Sequence, residues 1–451
     1  MAFRYHFFRY SFVSFVFASI CWTNTVMGAG FAIMEQSVLE LGRAFSGAST
    51  NTGDGSMVYF NPGAMTQVRS KLLTTAGYLI VPSAKFNDEG SQLNPLVGSF
   101  PLRGNEGGNA ANLIPILNVY YIQPLTSKVS FGLGVNSPFG MENQYHSNWK
   151  GRYQAITSEL ITININPSLA VKLTEKVSLG AGLNIQYLQA KLSNAVDFGA
   201  ICLQAIGLGA CGSRGLLPQS ADGMVTLKGD SVGFGFNLGL YFEPSQTTRL
   251  GISYRSRVEH EVKGTANYTV PDQALILTRG GQFIDTHTQT RVIMPDQVML
   301  GFSQYLGARW NLTGDALWTN WSLNRELRTD FASPQGDSIQ QLNWNDTWRL
   351  ALGLSYTPEV QKWTIRTGFA FDQTPVPNAD FRPARIPDND RYWLTAGFSY
   401  RVLSNLTLHG AYAHLFIPDP AINSKSATGD RLSGQYTAQV NIVGLQLDWR
   451  F

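Results

Sequence analysis

Residues 231–242 alternate strictly: Val232, Phe234, Phe236, Leu238, Leu240 and Phe242 fall on one side, Gly233, Gly235, Asn237 and Gly239 on the other. Residues 348–356 repeat the pattern, with Trp348, Leu350, Leu352, Leu354 and Tyr356 against Arg349, Ala351, Gly353 and Ser355. Residues 363–372 set Trp363, Ile365, Phe369 and Phe371 against Thr364, Arg366, Gly368 and Asp372. Successive side chains of a strand face opposite sides, so each run has one greasy face and one small or polar face. Runs of about ten residues fit a tilted membrane strand.

The same reading along the chain predicts fourteen strands. They lie near 71–81, 113–123, 129–136, 158–172, 177–192, 231–242, 248–263, 290–304, 309–321, 344–356, 362–372, 391–401, 406–416 and 436–451. Between them, short turns such as 124–128 and 173–176 alternate with long polar connections such as 82–112, 193–230 and 373–390. Short periplasmic turns and long external loops mark bacterial outer-membrane barrels. No stretch after residue 28 is long and apolar enough for a membrane helix. A spanning chain without such helices must close its hydrogen bonds in a ring. The predicted fold is therefore all-β: a 14-stranded antiparallel transmembrane β-barrel over 71–451.

Aromatic pairs sit beside the short turns, namely Tyr305 and Trp310, Tyr356 and Trp363, and Tyr241 and Phe242. Amphipathic rings favour a membrane interface, so these predict a girdle. At the C-terminus, Val443, Leu445, Leu447, Trp449 and Phe451 share one face. A last strand ending in Phe resembles the signal read by the barrel assembly machinery.

Residues 29–70 break the alternation. They are rich in Gly, Ala and Ser, with a possible helix over 36–45, and are too short to fold alone. A barrel this wide needs a filler or becomes an open pore. The segment reads as a plug, in which Arg43 and Asp54 pair with each other or with lumen charges. Residues 1–28 read as a secretory signal: Arg4, His6 and Arg9 precede an apolar run from Tyr10 to Trp22, and Val26 and Gly28 suit cleavage after Gly28.

Charged residues are only 14% of the chain, well below a typical soluble domain. Removing Arg4 and Arg9 from the 34 basic residues leaves 32 against 31 acidic ones, a net charge of +1. Nothing in that balance attracts nucleic acid. Cys202 and Cys211 remain, nine residues apart, and in an exported chain they favour a loop disulfide over two buried thiols. The five histidines after residue 28 form no recognisable Ser/His pattern, and neither HExxH nor GxSxG occurs. The expectation is a chain that is not an enzyme and needs no metal and no cofactor.

Several stretches resemble one family. Ala29-Gly30-Phe31, the run from Leu41 to Gly47 and the pair Asn61-Pro62 are similar to the N-terminal hatch of the FadL/TodX family of outer-membrane hydrocarbon channels. Asn136-Ser137-Pro138-Phe139-Gly140 looks like its third-strand region. The stretch from Thr364 to Asp372, then Pro375-Val376-Pro377 and the run from Ile386 to Trp393, look like its late-strand signature. The resemblance spans 29–451 and implies a fourteen-stranded barrel with a hatch. It implies passive uptake of hydrophobic compounds, most simply long-chain fatty acids. The alternatives are a channel for neutral aromatic hydrocarbons and a surface adhesin.

By the same resemblance, Pro138, Phe139 and Gly140 form a lateral opening, Phe31 reaches the ligand, and Arg43, Asn61 and Pro62 hold the hatch. Leu192, Asn194, Leu327 and Arg328 fall near the family's pocket positions. Asn194 departs from a basic residue there, which leaves Arg328 as the expected anchor for a carboxylate. The implied partners are a hydrophobic small-molecule ligand, outer-membrane lipids and lipopolysaccharide, and the barrel assembly machinery, with the protein a monomer.

Overall fold

The structure, a computed structural model, describes residues 30–451 of the 451-residue chain; the expected signal lies outside the described residues. Twenty strand segments make fourteen wall strands, because six of the strands are each broken once. The ring closes where the first strand, Leu72–Asp88, pairs antiparallel with the second, Ile114–Pro124, on one side and with the last, Arg431–Arg450, on the other. Every predicted strand has its counterpart, and all neighbours are antiparallel.

The alternation decides which face meets which solvent. In the sixth strand, Asp222–Phe242, Phe234 is 71% exposed while Asn237 is 2% exposed. Leu352 and Ile365 in their strands, and Leu445 and Leu447 in the last, likewise point outward. Asn164, Asn166, Asn184 and Gln186 point into the lumen and are buried there. Around the ring this gives an apolar outer band and a polar inner surface, the arrangement a lipid-embedded barrel requires.

Trp310, Tyr356 and Trp363 form a row of tilted rings beside the short turns, with ring centroids 4.7 and 6.1 Å apart. Tyr241 departs from the expected girdle: its odd position places it inward, where it is buried, while Phe242 keeps the outer face. The fifth and sixth strands, Val177–Asp197 and Asp222–Phe242, run 21 residues each, longer than predicted. Their outer ends rise beyond the apolar band and carry a two-helix loop. There Cys202, in α1 (Phe198–Ala205), is bonded to Cys211, in α2 (Leu208–Gly212).

Residues 30–70 fill the lumen as a hatch. The helix expected over 36–45 shrinks to the single turn Val38–Leu41, capped by the Ser37 side chain accepting from the Glu40 N–H. It cannot continue because Ala44 and Phe45 adopt φ of 54° and 57°, in the left-handed region. The hatch lies almost flush on the wall. Gly42 faces Gly397 so closely that a Cβ on Gly397 would stand 2.5 Å from the Gly42 Cα.

Candidate functional site

Pro138 carries no N–H, and it interrupts the third strand. That strand stops at Asn136, resumes at Gly140 and ends at Gln144. The gap is filled from inside by the start of the hatch. The Ile33 N–H donates to the Pro138 carbonyl at 2.9 Å, and the Gly140 N–H donates to the Phe31 carbonyl at 2.9 Å. On the other side, the Phe139 N–H donates to Thr162 Oγ1 at 3.0 Å and the Thr162 hydroxyl donates back to the Phe139 carbonyl. The backbone groups freed by the break are thus satisfied by the hatch backbone on one side and the Thr162 side chain on the other. Upstream, the Gly30 N–H donates to Asp388 Oδ2 at 3.1 Å.

Phe31 sits in an aromatic cage. Its ring centroid lies 4.9 Å from Trp321, 5.8 Å from Trp344 and 6.0 Å from Phe139. Above it opens a cavity of about 110 Å³, with a wall of Leu160, Leu192, Leu227, Val262, Leu327 and Ile386. Phe31 forms part of the floor. An outer vestibule of about 750 Å³ shares Leu192, Leu227, Leu327 and Arg385 with this cavity and adds Asn194 and Phe381. The lining exposed to this cavity is mostly apolar, which suits a hydrophobic ligand, and Glu159, Lys228, Arg291 and Glu326 border it as well.

The structure brings together Phe31, Leu192, Asn194 and Leu327, but not Arg328. In the segment Glu326–Phe331, Leu327 and Thr329 face inward, so Arg328 faces out by the two-residue period of a strand. It is exposed there and pairs with Glu326 at 2.9 Å and Asp337 at 2.8 Å. The expected anchor is therefore corrected. The buried cation at the cavity is Arg385, from the external loop between the eleventh and twelfth strands, while Lys228 and Arg291, which also border it, are exposed.

Arg385 is buried and reaches across to the wall. Its Nη1 donates to Ser158 Oγ at 2.9 Å and the Thr157 carbonyl at 3.0 Å, and its Nη2 donates to Asn194 Oδ1 at 3.2 Å. Among the described residues no carboxylate pairs with it. Burial pushes its guanidinium down to about 10, still charged near neutral pH. Asn194, which breaks the expected basic pattern, is the residue that holds this cation.

The hatch is fastened at its base. Asp315, from the ninth strand, accepts from the Gly47 and Ala48 N–H groups and, at 2.6 Å, from the Ser49 hydroxyl. Asn61 donates to the carbonyls of Ser49 at 2.7 Å and Leu240 at 2.9 Å, and Pro62 opens a 3-10 turn behind it. Arg43 does not pair with Asp54: it bonds Glu40, one turn earlier, while Asp54 accepts from Ser37, Asn51, Ser56 and Gln446. Spacing decides this, since residues three apart on a helical turn are neighbours.

A further chain escaped the sequence. Ser399 Oγ meets His409 Nδ1 at 2.6 Å, and His409 Nε2 meets Asp448 Oδ2 at 2.8 Å. All three are buried, Arg366 also donates to Ser399, and Thr74 and Gln446 donate to Asp448. Thr74 in turn accepts from the Gly55 N–H. The order Ser–His–Asp arises from strand pairing, and the chain ends on the hatch, to which it ties the wall.

The profile of a family described as "Outer membrane protein transport protein (OMPP1/FadL/TodX)" matches residues 19–451. The chain is 27% identical over 449 residues to outer membrane protein P1 of Haemophilus influenzae, covering 94% of this chain and 95% of that one. It is 29% identical over 386 residues to a long-chain fatty acid transport protein of Escherichia coli, covering 82% and 83%. A crystal structure of a Pseudomonas aeruginosa FadL homologue superposes with a TM-score of 0.85 at 26% identity, covering 94% and 100%. The Pseudomonas putida toluene transporter TodX shares the fold, with a TM-score of 0.66 at 17% identity over 93% and 99%.

Proposed function

The chain belongs to the OMPP1/FadL/TodX family of outer-membrane transport proteins, and on that premise we propose that the hydrophobic compound it carries is a long-chain fatty acid. One observation carries this reading: a mostly apolar cavity has a single buried guanidinium, Arg385, where it meets the vestibule. An acyl chain fills the first and a carboxylate meets the second through a forked, charge-assisted contact. A neutral aromatic meets the cation only through the weaker cation–π attraction, without a charge-assisted hydrogen bond.

The path is dry for a physical reason. Exposing an acyl chain to water costs about 0.8 kcal/mol per CH₂, so a water-filled pore is a poor route. The ligand enters the vestibule, slides past Arg385 into the cavity and presses on Phe31. Moving Phe31 withdraws the hatch from Pro138 and Gly140 and unseals the break in the third strand. The ligand then leaves sideways into the bilayer.

Uptake of oleate and of toluene by cells lacking their own channel tests the substrate. Arg385→Ala is expected to depress oleate uptake and spare toluene, Arg385→Lys to restore part of it, and Arg328→Ala to change neither. Equal loss of both compounds in Arg385→Ala, or none in either, overturns the fatty-acid reading.

A further inference from the structure

The outer wall carries a further cleft, of about 340 Å³, lined by Lys191, Lys228, Lys263, Glu159 and Asp230 together with inward-facing Gly229 and Gly264, and it borders the ligand cavity through Glu159, Lys228, Gly229 and Gly264. Its construction breaks a rule of sheets. Lys191 and Lys228 are register partners on adjacent strands, both on the outward face. Like charges directly opposite each other destabilise a strand pair. Glu159, the register partner of Lys191 on its other side, lies 2.7 Å from that ammonium. Lys228 and Lys263 are exposed and make no ion pair among the described residues. Of the three lysines only Lys191 is ion-paired, and Asp230, the register partner of Lys263, makes no ion pair with it, so the cluster keeps an excess of positive charge that an anionic ligand can meet.

The height of the cluster identifies that ligand. On the sixth strand the outward residues are apolar from Phe242 up to Val232, then change to Asp230 and Lys228. At the rise of a strand tilted by about 45° this apolar run spans roughly 25 Å, the thickness of a barrel's lipid-facing band. The same change occurs between Tyr187 and Gln189 on the fifth strand and between Ile161 and Glu159 on the fourth. The lysines therefore stand one step above the hydrocarbon, on the side of the long loops. Directly below them Leu183, Ile185, Val232 and Phe234 expose an apolar wall, 37 to 71% accessible.

We propose that this cleft seats the phosphate of an outer-leaflet phosphoglycolipid, whose acyl chains lie along that wall. The phosphate bridges Lys228 and Lys263 and relieves the Lys191–Lys228 repulsion. A free phosphate uses the cations alone; the lipid uses cations and wall together.

Native mass spectrometry of the full chain in detergent, titrated with bis-phosphorylated lipid A, tests this. Monophosphorylated lipid A, phosphatidylglycerol and inorganic phosphate serve as separate arms. Each lysine near an anionic headgroup contributes enough that Lys228→Ala/Lys263→Ala is expected to weaken lipid A binding roughly thirtyfold. Lys228→Arg/Lys263→Arg is expected to retain it, and the heat-modifiable gel shift of each variant confirms a folded barrel. Undiminished lipid A binding by the alanine pair overturns the site. So does displacement of bound lipid A by inorganic phosphate at equal concentration, which would make it a soluble-anion site. Binding of phosphatidylglycerol as tight as lipid A would reduce it to ordinary contact with acidic lipid and overturn it as well.

Discussion

Phe31 and Phe139 meet edge to face with ring centroids 6.0 Å apart, although one begins the hatch and the other stands in the break of the third strand. Hydrogen bonds flank the pair on both sides, from Ile33 to Pro138 and from Gly140 to Phe31. The start of the hatch and the break in the third strand are therefore one structural unit, and on the proposed route a ligand that displaces the first acts on the second.

Pro138→Ala supplies the missing N–H and lets the strand pair across its break. One added ladder hydrogen bond, at about 1 kcal/mol, is expected to reduce oleate uptake roughly fivefold. The gel shift of the folded barrel stays unchanged. Radiolabelled oleate uptake at matched expression measures it, and wild-type rates would remove the opening from the path.

Asp315→Ala strips three hydrogen bonds from residues 47–49 while leaving the outer wall face intact. Leaving those buried donors unpaired costs about 1–3 kcal/mol, enough to loosen the hatch before the barrel. Limited proteolysis is expected to cut within 30–70 in the variant and not in the wild type, with the barrel's own melting barely shifted.

The pH dependence of oleate binding follows from Arg385. The carboxylate ionises above about pH 5, and the guanidinium loses its proton near 10. Affinity is expected to be flat between these limits and to fall as pH passes 10, an upper limb absent from Arg385→Ala. For stability the sign is opposite: burial lowers the folded value below the usual 12.5. The cost of burying the charge is thus present below 10 and relieved as pH rises towards 12.5. Tryptophan fluorescence titration with oleate, taken at successive pH values, reads the binding limb.

Cys202→Ser opens a nine-residue loop on the outer face and leaves the wall strands untouched. The lost constraint is worth about 2–3 kcal/mol to the loop alone. Protease on whole cells is expected to cleave within 198–221 in the variant faster than in the wild type. Thermal unfolding of the barrel is expected to stay the same.

Strand number, ring closure and the outward face were legible because lipid and lumen impose opposite chemistry on alternate residues, as in 231–242 and 348–356. The hatch was legible as a break in that rhythm. What failed was whatever the rhythm does not control. Arg328 was chosen by position along the chain, yet a shift of one residue puts it on the wrong face. Arg385 lies in a loop with no periodicity, and only folding carries it to Asn194. The short helix was overextended because Ala44 and Phe45 give no sign, as residue types, of their left-handed backbone. The Ser399–His409–Asp448 chain joins three strands at a common height, which no linear motif records.

The fasteners of the hatch, Asp315 and Asn61, lie towards the short turns, whereas Phe31 and the break in the third strand lie towards the long loops. Only the tip needs to yield for grease to pass. On the proposed route the stopper's root keeps its hydrogen bonds to the wall while its tip moves, so passage of a greasy molecule would not require opening a hole for ions and polar drugs.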